Sequence, residues 1–104
     1  MTGVFPRSNH VVTARFVIRP DSVNRMRVII HDLTTITRAE DGCILYLFTE
    51  STESEGVFSL IMVWRDETAY RRYTASDSMR AFTSILSAGM LEMPPVYETW
   101  RSLG

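Results

Sequence analysis

Lysine is missing from this chain. All eleven basic residues are arginine, set against twelve acidic ones, and the net charge is −1 at neutral pH. A balance of that kind lacks the electrostatic footprint of a nucleic-acid binder or of a protein held at an anionic membrane. Cysteine occurs once, at Cys43, which excludes an intrachain disulfide and suits a reducing, cytoplasmic setting. Histidine is limited to His10 and His31, and no spacing among these and Cys43 makes a metal site. The longest unbroken apolar run, Cys43 to Phe48, has six residues, against roughly 20 for a bilayer span. Residues 1 to 9 lack the apolar centre of a signal peptide. Glycine-rich phosphate loops, serine or cysteine nucleophile motifs, internal repeats and low-complexity segments are also wanting, so nucleotide cofactors and hydrolase triads are poor expectations.

What is present suffices for one folded domain: 104 residues, 45% of them hydrophobic. The chain is organised around Leu60 to Tyr70. Leu60, Met62 and Trp64 alternate to one face of a strand and Ile61 and Val63 to the other, so both faces are apolar. Asp66 can then cap a helix, Glu67 suits its positive end, and Tyr70 lies about one turn on, where its ring can swing back towards Trp64.

Around that corner the elements follow in order. Residues 1 to 9 read as a flexible arm, and residues 10 to 104 as the domain. His10 to Arg19 alternates Val12, Ala14, Phe16 and Ile18 against Val11, Thr13, Arg15 and Val17, which predicts a strand. Pro20-Asp21-Ser22 ends it and offers an N-cap. Val23, Met26, Ile29, Ile30, Leu33 and Ile36 then form the buried stripe of a helix that stops near Glu40-Asp41-Gly42. Cys43 to Glu50 and Val57 to Arg65 predict an antiparallel hairpin, followed by a short helix over Asp66 to Ala75. Ser76 caps a further helix running to about Ser87 with Met79, Phe82, Ile85 and Leu86 inward, and Val96 to Ser102 supplies a fourth strand.

That order is the α+β, ferredoxin-like βαββαβ plan, with two helical layers on one face of a four-stranded antiparallel sheet. Whichever residues of the second and third strands face away from the helices are Leu, Ile, Val, Tyr or Phe. Left bare, they would form an apolar patch of several hundred Å². The expectation is a homodimer through the sheet face.

Three pieces of the sequence resemble a known family, the antibiotic biosynthesis monooxygenase domain: Trp64-x-Asp66-Glu67-x-Ala69-Tyr70, the turn Glu40-Asp41-Gly42-Cys43, and Pro94-Pro95-Val96. The resemblance runs over residues 10 to 102 and implies a dimeric α/β barrel with a pocket between sheet and helices, Trp64 in its wall. Members oxidise polyketide phenols and anthrones to quinones with dioxygen and no metal or flavin; others degrade haem, isomerise small metabolites or have no known activity. Trp64 and Tyr70 match the quinone-forming branch, whose asparagine four residues before the tryptophan is Leu60 here. The haem degraders' asparagine, tryptophan and histidine fall at Ala14, Trp64 and about Thr83, so two of the three are missing. Tyr73 stands where many members carry histidine.

Oxygenation without a cofactor needs an electron-rich substrate, a dry cavity and donors for the developing anion. The resemblance therefore implies a catalytic set of Trp64, Tyr70, Tyr73 and Arg80, the last able to pair with an anionic substrate at the pocket mouth. Ala14, Phe16, Leu60, Met62, Met79, Phe82, Thr83 and Leu86 would line the substrate space, with no cofactor and no metal. The substrate class is a small aromatic or hydrophobic molecule, polyketide-like or a quinol. Two other readings stand beside this one: a non-catalytic dimeric barrel that binds a small hydrophobic ligand, and an isomerase in the same pocket, which would need a base the sequence does not plainly supply. Ordinary core packing explains Trp64, Cys43 and the methionines as well, and a solvated helix face explains Arg80.

Overall fold

Proline at position 20 fixes the backbone just beyond the first strand and turns the chain into a helix whose apolar positions recur every three or four residues. The computed structural model describes residues 6–104, so most of the arm expected over residues 1 to 9 lies outside the described residues. Strand β1 is His10–Val17, a short 3-10 turn covers Pro20–Ser22, and helix α1 is Val23–Arg38. Strands β2 (Cys43–Glu50) and β3 (Val57–Trp64) follow, then helices α2 (Glu67–Thr74) and α3 (Asp77–Ser87), and strand β4 (Val96–Arg101). The sheet order is β2-β3-β1-β4, antiparallel throughout, which is the expected ferredoxin-like α+β arrangement.

Period-two alternation sends one set of side chains to the helices. Val12, Ala14 and Phe16 of β1 and Phe58, Leu60, Met62 and Trp64 of β3 are buried there, with Tyr46 from β2. Register keeps them together: Ala14 faces Leu60 on one side and Tyr97 on the other. Met26, Leu33, Phe82 and Leu86 close the core from the helical side. Each such side chain fully buried stabilises the fold by about 1.5–3 kcal/mol.

The α1 stripe departs from expectation in its last turn. Ile36 is 51% exposed and Thr37 is fully buried. The spacing 26, 30, 33, 37 keeps one helical face, and Ile36 lies a hundred degrees back from it. Ser22 also fails to cap α1 with its side chain; its Oγ bonds Asp21 instead, while its N–H donates to Arg19 O at 2.9 Å within the 3-10 turn. The other two caps form as expected: Asp66 Oδ1 accepts from Ala69 N–H at 2.8 Å, and Ser76 Oγ accepts from Met79 N–H at 3.3 Å.

Gly42 fixes the position of the Trp64 corner. Its φ of +86° is the left-handed conformation, and a Cβ added there would lie 2.5 Å from Ala69 Cβ. This close approach lets Arg65 N–H donate to Gly42 O at 2.8 Å, and Asp41 beside it accepts from both Arg65 and Arg72. The start of β2 is thereby tied to the start of α2.

On the other face of the sheet Leu47 is 39% exposed, Ile61 36%, Val96 52% and Trp100 51%. Trp100 Nε1 donates to Thr13 Oγ1 at 2.8 Å, which holds the indole flat along that face. No described helix is long and apolar enough to cross a membrane.

Candidate active site

Trp64 ends β3, and strand register sets His10 directly beside it on β1 and Cys43 on β2. The helix that Asp66 caps then delivers Tyr70 and Tyr73, three residues apart and so on one face, back over the indole. Trp64 lies 4.8 Å from Tyr73 between ring centroids and 6.4 Å from Tyr70, as the sequence led us to expect of the latter. Tyr70 in turn stacks on His10 at 4.9 Å.

Behind them, two phenols meet in the interior. Tyr46 and Tyr73 are both essentially inaccessible, and their hydroxyls are 3.0 Å apart. One donates to the other, so the pair holds one further proton that no acceptor among the described residues takes at hydrogen-bonding geometry. Burial pushes the Tyr46 phenol up to about 12, with its hydrogen bonds to Tyr73 and the influence of the nearby Thr37 hydroxyl working the other way. Burial raises Tyr73 well above the ordinary phenol range, reinforced by Tyr46, and Tyr70 and Tyr97 move in the same direction for the same reason. All four are neutral donors at neutral pH, and none is a base.

Two buried polar atoms here lack partners among the described residues, Trp64 Nε1 and Thr37 Oγ1. An indole N–H buried without an acceptor costs about 1–3 kcal/mol, unless a ligand oxygen satisfies it. The shell continues through Phe48, Phe82 and Phe16 to Tyr97, which stands edge-on to Phe16 at 5.9 Å and is 44% exposed.

The structure brings Trp64, Tyr70 and Tyr73 together, over Ala14, Phe16, Leu60, Met62, Phe82 and Leu86, all of them core residues. Arg80 and Thr83 sit elsewhere. Both are exposed on α3, where they line an open hollow with Thr74 and half-buried Met79, and no aromatic of the cluster lines it. The space expected beside Trp64 is also closed: the residue has 0% exposure, so nothing the size of water touches it. Its own aromatic neighbours fill the site, with Tyr70 and Tyr97 as the partly exposed members.

Sequence reasoning passed over Tyr46 and gave His10 little weight. A tyrosine inside an otherwise apolar strand is a signal, because a buried phenol needs a partner. His10 gives none until strand pairing sets it opposite Trp64. Among the described residues no three His, Cys, Asp or Glu side chains gather as a metal site.

A ferredoxin-like sheet with one helix-covered face, one bare apolar face and an aromatic cluster at the β3–α2 corner defines a ferredoxin-like α+β domain. The sequence pattern of the antibiotic biosynthesis monooxygenase family matches residues 9–84, and the chain belongs to that family. A curated relative, "Putative monooxygenase Rv0793" of Mycobacterium tuberculosis, is 45% identical over 42 residues, a match that covers 40% of this chain and 42% of that protein's length. The solved structure of Rv0793 is 29% identical, with a TM-score of 0.86 over 93% of this chain and 97% of its own. A conserved protein from Methanosarcina mazei Go1, 22% identical, superposes with a TM-score of 0.86 over 92% of this chain and 94% of its own, a likeness of fold.

Proposed function

We propose that this chain is a cofactor-independent monooxygenase, acting on an electron-rich aromatic substrate of the polyketide phenol or quinol kind. Family membership and the relative's name support the monooxygenase class. One observation carries the site: the unpartnered indole N–H of Trp64, buried against the Tyr46–Tyr73 phenol pair. An aromatic ring seated against Trp64 and Tyr73 would offer its oxygen to the indole N–H and to the spare phenol proton. The negative charge sits on that oxygen when the substrate is held as its enolate or phenolate and passes to dioxygen as electrons are given up, and fixed donors in a dry site stabilise the anion. In the net reaction a ring CH2 and one O2 give a carbonyl and one water, so the second oxygen atom leaves fully reduced. Because the phenols are held neutral, the substrate enters already as its enolate or phenolate, or loses its proton to solvent through His10 beside Tyr70. Entry requires Tyr70 and Tyr97 to swing aside.

The bare sheet face supports the second part of the proposal, a homodimer packed through Leu47, Ile61, Val96 and Trp100, working in the cytoplasm. Oxygen uptake with a series of anthrones tests the reaction. Wild type should consume one O2 per carbonyl formed, and Trp64→Phe and Tyr73→Phe should each lower kcat by about tenfold or more, the loss of one oxyanion donor. Unchanged rates in both variants would remove these roles. A second reading, a non-catalytic barrel that binds a small hydrophobic ligand, is favoured by the complete packing of Trp64; it predicts ligand binding with no oxygen consumed for any substrate.

A further inference from the structure

Where β1 begins and β4 ends, an open hollow of about 490 Å³ lies beside the aromatic cluster, lined by Arg7, Ser8, Asn9, His10, Thr99 and Arg101. Glu67 and Trp100 complete it. Glu67 is the one acidic group there, and Arg71 already holds it, at 3.1 Å from Nε and 2.7 Å from Nη2. Arg7 and Arg101 have no ion-pair partner among the described residues. Two unneutralised arginines and two hydroxyl side chains lining one hollow are suited to an anion, and to a planar carboxylate above all.

A second observation narrows the class. Asn9 is only 7% exposed, and its Nδ2 donates to Arg65 O at 3.1 Å, which settles how its amide is oriented. Its Oδ1 is then a buried acceptor that no donor among the described residues reaches. An anion alone cannot satisfy it; a hydroxyl proton can.

The third is position. Register sets Arg101, His10 and Trp64 side by side across three adjacent strands, on the face that carries Val12 and Leu60, so the arginine and the indole stand about 10 Å apart at the backbone. His10, between them, presents its ring to Tyr70.

We infer that this hollow is a binding site for the carboxylate end of a hydroxylated aromatic acid. The carboxylate lies between Arg7 and Arg101 with Ser8 and Thr99, a ring hydroxyl donates to Asn9 Oδ1, and the aromatic body rests on His10 in the direction of Trp64. This deepens the proposed function by making the substrate an aryl acid, and rests on that reading for its link to turnover.

Titration of 15N-labelled protein with 6-hydroxy-2-naphthoate at neutral pH tests it by NMR, with 6-hydroxy-2-naphthamide and 2-naphthoate as the probes that lack the anion and the hydroxyl. The amides of His10, Thr99 and Arg101 should shift, the acid should bind about tenfold more tightly than its amide, and 2-naphthoate should bind severalfold more weakly. Arg7→Gln and Arg101→Gln, both exposed changes, should each weaken the acid about fivefold and leave the amide unaffected. Equal affinity for acid and amide, shifts confined to other surfaces, or no shifts overturn the site. Selective binding by a protein that consumes no oxygen keeps the site and loses the reaction. Oxygen consumption with equal affinity for acid and amide does the reverse.

Discussion

The hydroxyl pair of Tyr46 and Tyr73 makes an asymmetric prediction. Among the described residues the Tyr73 hydroxyl has Tyr46 as its sole hydrogen-bond partner, whereas Tyr46 also lies near the Thr37 hydroxyl, itself buried and unpartnered. Tyr46→Phe therefore strands the Tyr73 hydroxyl with no other group to turn to, and should cost about 2 kcal/mol. Tyr73→Phe leaves Tyr46 free to turn to Thr37 and should cost about 1 kcal/mol. The double variant removes the stranded Tyr73 group together with its partner, so its cost should stay close to that of Tyr46→Phe, with a coupling of about 1 kcal/mol between the sites. Urea unfolding at one fixed protein concentration measures this, because a folding equilibrium linked to association shifts with concentration. With a slope of about 1–2 kcal/mol per molar, Tyr46→Phe should lower the midpoint by roughly 1–2 M. Additive costs, or a larger loss for Tyr73→Phe, would refute the hydrogen-bond assignment.

Alkaline pH should act through the same pair. An unfolded tyrosine ionises near its ordinary value of about 10, whereas Tyr46 in the fold ionises at about 12. The folded state thus binds more protons between those values, and the stability present below pH ~10 should fall by about 3 kcal/mol as pH rises to ~12. Tyr46→Phe should flatten that slope in a urea series from pH 9 to 12. Gly42→Ala should cost at least about 2 kcal/mol, from strain at positive φ plus the clash with Ala69. Gly89→Ala, also at positive φ but with nothing within 4 Å, should cost about 1 kcal/mol, and equal costs would contradict the close approach. Ile61→Arg, at the middle of the bare sheet face, should convert the proposed homodimer to monomer in size-exclusion chromatography with light scattering; an unchanged mass would place the interface elsewhere.

Much of the fold was legible because its determinants are local. Strict alternation in β1 and β3, the Asp66 and Ser76 caps and the turn at Gly42 each act within a few residues. The Trp64–Tyr70 contact was legible for the same reason: a strand end, a cap and one helical turn fix it. Features that depend on which strand lies beside which were not. His10 next to Trp64 and Tyr46 meeting Tyr73 require pairings across 54 and 27 positions. Thr37 turning inward in place of Ile36 is a matter of helix phase, which apolar pattern alone misjudges when the buried residue carries a hydroxyl. Thr83 was assigned to the pocket by family spacing and Arg80 by its place beside Met79, and both line another hollow along α3.

Strand β4 is held on one side only, by β1, and each of its six residues is exposed. Its grip on the interior comes through Tyr97, edge-on to Phe16, and through its ladder with β1. Tyr97, Thr99 and Arg101 all ride on it. An outermost ribbon with a single neighbour should exchange its backbone protons sooner than β3 at the centre of the sheet, and deuterium uptake along residues 96–101 that slows when a ligand is bound would tie that edge to the site.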